Sequence, residues 1–306
     1  MLVERGYRPY TGQLRSGRWL PLARTGVLLI FRRKIFWLFL VLGLVNFLVY
    51  SSMVYFLAQL EAEFKQQGMM LPPFVRGAVF TGTGRSYRDF ISMQNAVVML
   101  FLAFAGSQLI GNDFRYRSIS FYLSRPIGKL GYFLGKLCAA VGLTLLITLV
   151  PAVVLFVEYG LFTESVEYFR ESWRIFLAIL GYGTLVSVAS SLLILSLAAL
   201  LQRTVLIGVV WGGVFVFLPM VGDMFRFIGS GPRGDAWHWA LLNYWAVLRW
   251  ISNCFFGITE EPRRGHESLS HLPAEGLPFA IIVLAGWMVL ALWLFYKRVK
   301  AVEVVR

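Results

Sequence analysis

Six predominantly apolar runs divide the chain, at about 35–57, 90–110, 133–157, 175–201, 205–222 and 279–296. Each approaches or exceeds the roughly 20 residues a helix needs to cross about 30 Å of hydrocarbon, where only intrahelical hydrogen bonds satisfy the backbone. The expected fold is an all-α membrane protein with six transmembrane helices. Composition agrees: 58% of the 306 residues are hydrophobic and 15% charged, against about 25% charged in a soluble domain. The first run starts too far in, is too long for a signal-peptide core and lacks a small-residue cleavage site, so it reads as a retained anchor. Cys138 and Cys254 fall on opposite sides of the expected membrane, and no disulfide between them is expected.

Charge sets the expected orientation. The chain has 29 Lys and Arg against 16 Asp and Glu. In a soluble protein that excess suggests nucleic acid; here it reads as basic flanks, and no nucleic-acid partner is expected. With a cytoplasmic N-terminus, the inside segments hold 17 Lys and Arg in 69 positions and the outside segments 11 in 105. Both termini are therefore expected in the cytoplasm.

Two further segments are apolar on one face. The basic arm, residues 1–34, contains "WLPLARTGVLLIFRRKIFW", in which Trp19, Leu22, Gly26, Leu29 and Ile30 can share one helical stripe. Arg18, Arg24, Arg32 and Arg33 supply charge for anionic lipid headgroups, so an amphipathic helix on the inner membrane surface is expected. The membrane domain, residues 35–306, has a large outer loop at 223–278. Within it, residues 236–256, "AWHWALLNYWAVLRWISNCFF", are long enough to span but contain His238, Asn243 and Arg249. A seventh span would put "YKRVK" outside, against the charge rule. Trp237, Leu241, Tyr244, Trp245, Leu248 and Phe255 mostly recur at helical spacing, predicting a helix that lies in the outer interface or re-enters from it.

Motifs for catalysis are missing. "LGYFLGKL" falls short of a phosphate loop, because only three residues separate Gly131 from Gly135 and Leu137 follows Lys136. "EEPRR" at 260–264 is one residue short of the EExxxR of intramembrane proteases. His266 and His271 flank Glu267, with no helical register and no third strong ligand to make a metal site. No catalytic residue, cofactor site or metal site is expected in this chain. Polar residues within the runs, notably Asn46, Gln94, Asn95 and Gln108, read as interhelical packing groups or as the lining of a pathway. Gly208 and Gly212 form a GxxxG that permits close helix approach, within the subunit or across a dimer.

The stretch "NDFRYRSISFYLSRPIGKLGYFLGK", residues 112–136, follows the second run. Asn112 or Asp113 could cap a short helix, and Pro126 disfavours its continuation at Arg125. Phe114, Ile119, Phe121 and Tyr122 would give it apolar contact, and Arg115, Arg117 and Arg125 fixed charge. This stretch resembles a segment of the permease subunits of type 2 ATP-binding-cassette (ABC) exporters. There an acidic and basic start leads to a small and apolar pair, then "SRP", then an aromatic residue and "LGK". Ser118 and Ile119 stand where that family commonly has Thr and Leu; Ser124, Arg125, Pro126, Tyr132, Gly135 and Lys136 match. Arg117 departs from the Gly that often precedes the pair.

The resemblance implies that segment 112–126 is a cytoplasmic coupling helix docking on a separate ABC ATPase, which would account for the missing phosphate loop, with Phe114, Arg115, Arg117, Ser118, Ile119, Phe121, Tyr122 and Arg125 at the contact. It further implies two ATPase copies carrying ATP and Mg, a second permease copy or paralogue, contact with membrane lipid, and a multi-pass location in a bacterial cytoplasmic membrane. The chain itself would be a transport subunit rather than an enzyme. The competing readings are a stand-alone secondary transporter or channel and, behind these, a membrane-embedded hydrolase.

Overall fold

The computed structural model describes residues 19–67, 80–116, 118, 129–162, 166–201, 203–229, 236–259 and 273–304. It is all-α. After a short first helix, α1 (Trp19–Phe31), come six helices long and apolar enough to cross a membrane. These are α2 (Lys34–Gln66), α3 (Gly84–Arg115), α4 (Lys129–Phe162), α6 (Trp173–Leu201), α7 (Thr204–Gly229) and α9 (Leu277–Val304). A short helix α5 (Val166–Glu171) precedes α6, and α8 (Tyr244–Phe256) lies between α7 and α9. The architecture is that of a multi-pass membrane protein. The helices overrun the six apolar runs because their end turns keep helical bonding beyond the stretch that must be apolar.

The six long helices alternate in direction. Contacts of Phe36 with Phe101, Asp113 with Lys136, Gly111 with Ile207 and Phe133 with Phe295 bring to one end of the bundle the helix ends that carry Arg32, Arg33, Lys34, Arg115, Lys129, Arg203, Lys297 and Arg298, the basic end. Helix α6 occupies the middle, touching α3, α4, α7, α8 and α9. Its small residues, including Gly183, Ser187, Ala189, Ser190, Ala198 and Ala199, let neighbouring backbones come close, which is how helices pack where hydrophobicity gives no preference for each other over lipid. Gly106 of α3 lies against Ile194 with no room for a Cβ, and Ser196 donates to the carbonyl of Ala291 in α9 at 2.8 Å. Helices α2 and α9 are peripheral and mostly exposed along their apolar lengths.

Polar side chains inside the bundle meet backbone groups that the sequence leaves open. Pro151 lies within α4 and has no N–H to give to the carbonyl of Ile147 one turn earlier. Gln94 of α3, fully buried, donates to that carbonyl at 2.6 Å. The same amide nitrogen reaches the Gly43 carbonyl of α2 at 3.3 Å, and its oxygen accepts from Asn46 at 2.7 Å. One side chain therefore joins three spans. A Cβ at Gly43 would stand 2.8 Å from the Gln94 nitrogen, so a larger residue there would displace that amide.

Helix α1 is the expected short N-terminal helix, with a buried face shifted in part from the expected stripe. Pro21 fits its first turn, where the missing N–H has no intrahelical partner to lose. Leu22, Ala23, Gly26 and Ile30 are buried, and the helix packs mainly along α4. Leu29 is 41% exposed and off this face. The buried stripe is thus rotated from the expected one, because it follows the groove beside Gly135 and Ala139.

The aromatic segment is broken at Asn243, which explains why a single stripe does not describe it. A 3-10 helix, Ala236–Leu242, runs back along α7, and α8 then reverses direction. The Asn243 side chain caps α8, accepting from the N–H groups of Trp245 at 2.9 Å and Ala246 at 3.3 Å. At the far end Gly257 takes the left-handed conformation, φ 61°, and the Ile258 N–H returns to the Asn253 carbonyl at 2.8 Å. Tyr244 stacks on Trp287, ten residues into α9, while Phe256 meets Gly84 at the start of α3. The segment therefore re-enters the bundle to mid-depth and returns. Its buried face is Tyr244, Val247, Leu248, Trp250, Ile251 and Ser252, with Phe255 exposed.

Replacing Gln94 with Leu is expected to lower stability by about 1–2 kcal/mol. Replacing Pro151 with Ala restores a backbone donor to Ile147, so the Gln94→Leu cost should shrink by about half in that background. Unfolding of the two single variants and the double variant in detergent checks this; strictly additive effects would contradict the shared carbonyl.

Candidate functional site

The described residues nearest the expected coupling segment are its two stems. Helix α3 runs unbroken through Asn112 and Asp113, with helical backbone at Gly111 and Asn112, and stops at Tyr116 (φ −94°, ψ 8°). Neither residue caps a new helix: they belong to the last turn of α3. Asn112 instead donates to Gln108 at 3.2 Å. Phe114 is buried, Arg115 and Tyr116 are exposed, with the Arg115 guanidinium 5.5 Å from the Tyr116 ring centre, and Ser118 is half-buried. Arg117, Ile119, Phe121, Tyr122 and Arg125 lie outside the described residues.

Asp113 has a different role. Its Oδ2 receives the Lys136 Nζ at 2.7 Å and the Tyr132 hydroxyl at 2.7 Å, the latter two residues being in the first turns of α4. The Lys136 ammonium also lies 5.7 Å from the Tyr132 ring centre. Lys136 and Asp113 side chains are 6% and 14% exposed. A carboxylate in the last turn of a helix is disfavoured by the helix dipole, so it depends on these donors. One turn of α4 lies against α1: a Cβ at Gly135 would come 2.9 Å from the Trp19 carbonyl and 3.0 Å from Leu22. Three elements, α1, α3 and α4, are thereby fixed together where the 117–128 segment leaves and returns.

A π-helical turn, Ser107–Gly111, precedes this clamp in α3. Such a turn inserts an extra residue and weakens the local ladder. It lies between the clamped last turn and the part of α3 that Gln94 ties to α2 and α4.

The polar residues singled out within the spans have separate fates. Asn46 and Gln94 meet each other in the three-span junction. Asn95 is almost wholly buried, and neither its oxygen nor its nitrogen meets a hydrogen-bond partner among the described residues. Gln108 bonds to Asn112 near the basic end. At Gly208 and Gly212 an added Cβ would meet nothing within 4 Å, so neither is packed closely against another helix among the described residues. His266, Glu267 and His271 lie outside the described residues.

Sequence reasoning missed three polar links. Asp113 was read only as a cap, although an acid closing one span and a base opening the next is a signal that can be sought. Arg88 donates to Asn253 at 2.7 Å and pairs with Asp89 at 2.8 Å, joining α3 to α8. Asn243 donates to the Asp223 carboxylate of α7 at 3.2 Å.

No protein-family model matches this chain, and no curated protein sequence matches it.

Lys136→Met leaves the Asp113 carboxylate without its counter-charge and is expected to cost about 3 kcal/mol. Adding Asp113→Asn should recover part of that loss. Thermal unfolding in detergent reads both, and a double variant no better than Lys136→Met would dismiss the pairing.

Proposed function

We propose that this chain is the membrane-spanning permease subunit of an ABC exporter, driven by ATP hydrolysed on a separate cytoplasmic ATPase. The reading is carried by one coincidence. Tyr132, Gly135 and Lys136, which match the exporter motif, are also the residues that join α4 to Asp113 and to α1. A segment that receives force from a partner needs such a mount, because a flexible attachment would dissipate the displacement before it reached the spans. The basic end is the cytoplasmic end in this reading, as the distribution of Lys and Arg supports. Both termini are then cytoplasmic, in a bacterial inner membrane.

The working unit has two permeases and two ATPases, with ATP and Mg on the ATPases. Closure of the ATPase pair displaces the coupling segments, and the clamped α1, α3 and α4 stems carry the movement into the bundle as a rigid-body shift. The open glycine face of α7 supplies a surface for a second permease copy or paralogue. The re-entrant α8 lies on the path between the bundle interior and the outer surface. The substrate is extruded through the membrane by this pair.

Orientation is tested by reporters. One fused after Arg306 is expected in the cytoplasm and one inserted near Gly265 outside; a cytoplasmic Gly265 would contradict the re-entrant arrangement.

Coupling is tested by combining Ile119→Ala, Phe121→Ala and Arg117→Glu. Each apolar truncation removes contact worth about 1.5–3 kcal/mol if fully buried against the partner. The variant should insert and fold, yet lose co-purification with the ATPase and the response of ATP hydrolysis to the permease. Unchanged association and coupling in a folded variant, or transport driven by an ion gradient without ATP, would replace the ABC reading with that of a stand-alone transporter.

A further inference from the structure

Helix α4 carries a charged side chain near each of its ends. Lys136 is held by Asp113 at the basic end, and Glu158 follows 22 residues later on the same helix. That separation is about 33 Å of helix, close to the roughly 30 Å of a hydrocarbon core. With Lys136 at one boundary of the bilayer, Glu158 stands at the other, where lipid headgroups begin.

Glu158 is half-buried, and the Ser51 hydroxyl of α2 donates to its Oε1 at 2.6 Å. One turn further along both helices the Tyr55 and Phe162 rings meet edge-on, with centres 5.8 Å apart. Helix α2 thus runs beside α4 here and fixes one oxygen of the carboxylate. Among the described residues Oε2 has no hydrogen-bond partner, and no Lys or Arg pairs with Glu158.

A groove of about 400 Å³ runs along this part of α4, lined by Val153, Val154, Val157, Glu158, Leu161 and Phe162. Val154, Val157, Leu161 and Phe162 are exposed. The lining is therefore apolar on both sides of one carboxylate. Val153 and Val154 lie about 6–8 Å deeper than Glu158 along the helix axis, at the level of acyl chains, and the Phe162 ring one turn beyond it offers a face that attracts a cation. A hydrated metal ion would leave the valines uncovered, and an uncharged lipid tail would leave Oε2 unmatched. A cation attached to an apolar body satisfies both.

We propose that this groove binds the primary ammonium headgroup of a bilayer lipid, phosphatidylethanolamine, with the ammonium on Glu158 and an acyl chain along Val157, Val154 and Val153. A primary ammonium presents three N–H donors to a carboxylate. The quaternary nitrogen of choline presents none, so ethanolamine is preferred although both lipids carry the same phosphate. The site needs no ATPase and stands or falls separately from the exporter reading.

The test uses the full chain in mixed micelles with equal phosphatidylethanolamine and phosphatidylcholine, and native mass spectrometry of the retained lipid. Phosphatidylethanolamine should be retained preferentially. Glu158→Gln keeps an oxygen for Ser51 but removes the charge, and should lower phosphatidylethanolamine retention about tenfold, the loss of one charge-assisted contact. Val154→Trp, at an exposed position, fills the groove without changing its charge and should lower retention of both lipids, which preserves the test if the Gln variant does not fold. Glu167→Gln, which removes an exposed acid on α5, should leave retention unchanged. Equal retention of the two lipids, preference for phosphatidylcholine, no loss in folded Glu158→Gln or Val154→Trp, or an equal loss in Glu167→Gln would overturn the proposal.

Discussion

A backbone carbonyl inside a bilayer must find a donor from the protein, and two prolines make this constraint visible. Pro151 frees the carbonyl of Ile147, and Pro219, four residues after Phe215, offers that carbonyl no N–H. Each is taken by a side chain from another element: Gln94 reaches Ile147 at 2.6 Å and the Trp245 indole reaches Phe215 at 2.9 Å. The first contact fixes α3 against α4 and, through Asn46 and Gly43, against α2. The second fixes the re-entrant helix against α7. Apolar helices gain little by preferring one another to lipid tails, so contacts of this kind and close packing around small residues set their register.

The spans were legible because length and apolarity are local properties that the bilayer constrains residue by residue. Their junctions were not. Gln94 and Pro151 both lie inside apolar runs, but their relation depends on two helices crossing at one height, which periodicity does not encode. Asn243 was visible as a polar residue in an aromatic segment; that it caps a helix reversing at mid-depth depends on Asp223 being there to receive its amide. Asp113 was misread for the opposite reason. Its residue type matched a familiar local role, while Tyr132 and Lys136, 19 and 23 residues on, draw it into a tertiary one.

Small residues occur in both α6 and α7, with different consequences. In α6 they are consumed by neighbouring helices, whereas an added Cβ at Gly208, Gly212 or Gly213 of α7 would meet nothing within 4 Å. Exposed Val209, Val216 and Phe217 alone would not distinguish lipid from protein, since both are apolar. The glycines are more informative. Each costs a helix roughly 1 kcal/mol relative to Ala, with no compensating close approach among the described residues. An approaching second backbone is the arrangement that recovers this cost, which favours a protein neighbour for α7 in the proposed assembly.

Helix α3 connects the two ends of the molecule. Asp113 anchors its last turn at the basic end, Gln94 ties its middle to α2 and α4, and Arg88 ties its first turns to α8. A displacement of the clamped end passes along α3 as a rigid shift or as a bend, and the π-helical turn at Ser107–Gly111 is the point where α3 departs from regular bonding. Helix α7 carries a second such turn, Gly213–Phe217, beside the Trp245 contact. Helix α8 is bonded to α3 and α7 on the far side of both turns. If the basic end moves, bending at these turns changes the angle between α3 and α7, and α8, held at both ends, must tilt with them. The polar links that close the re-entrant segment in this conformation are therefore also the means by which it would move.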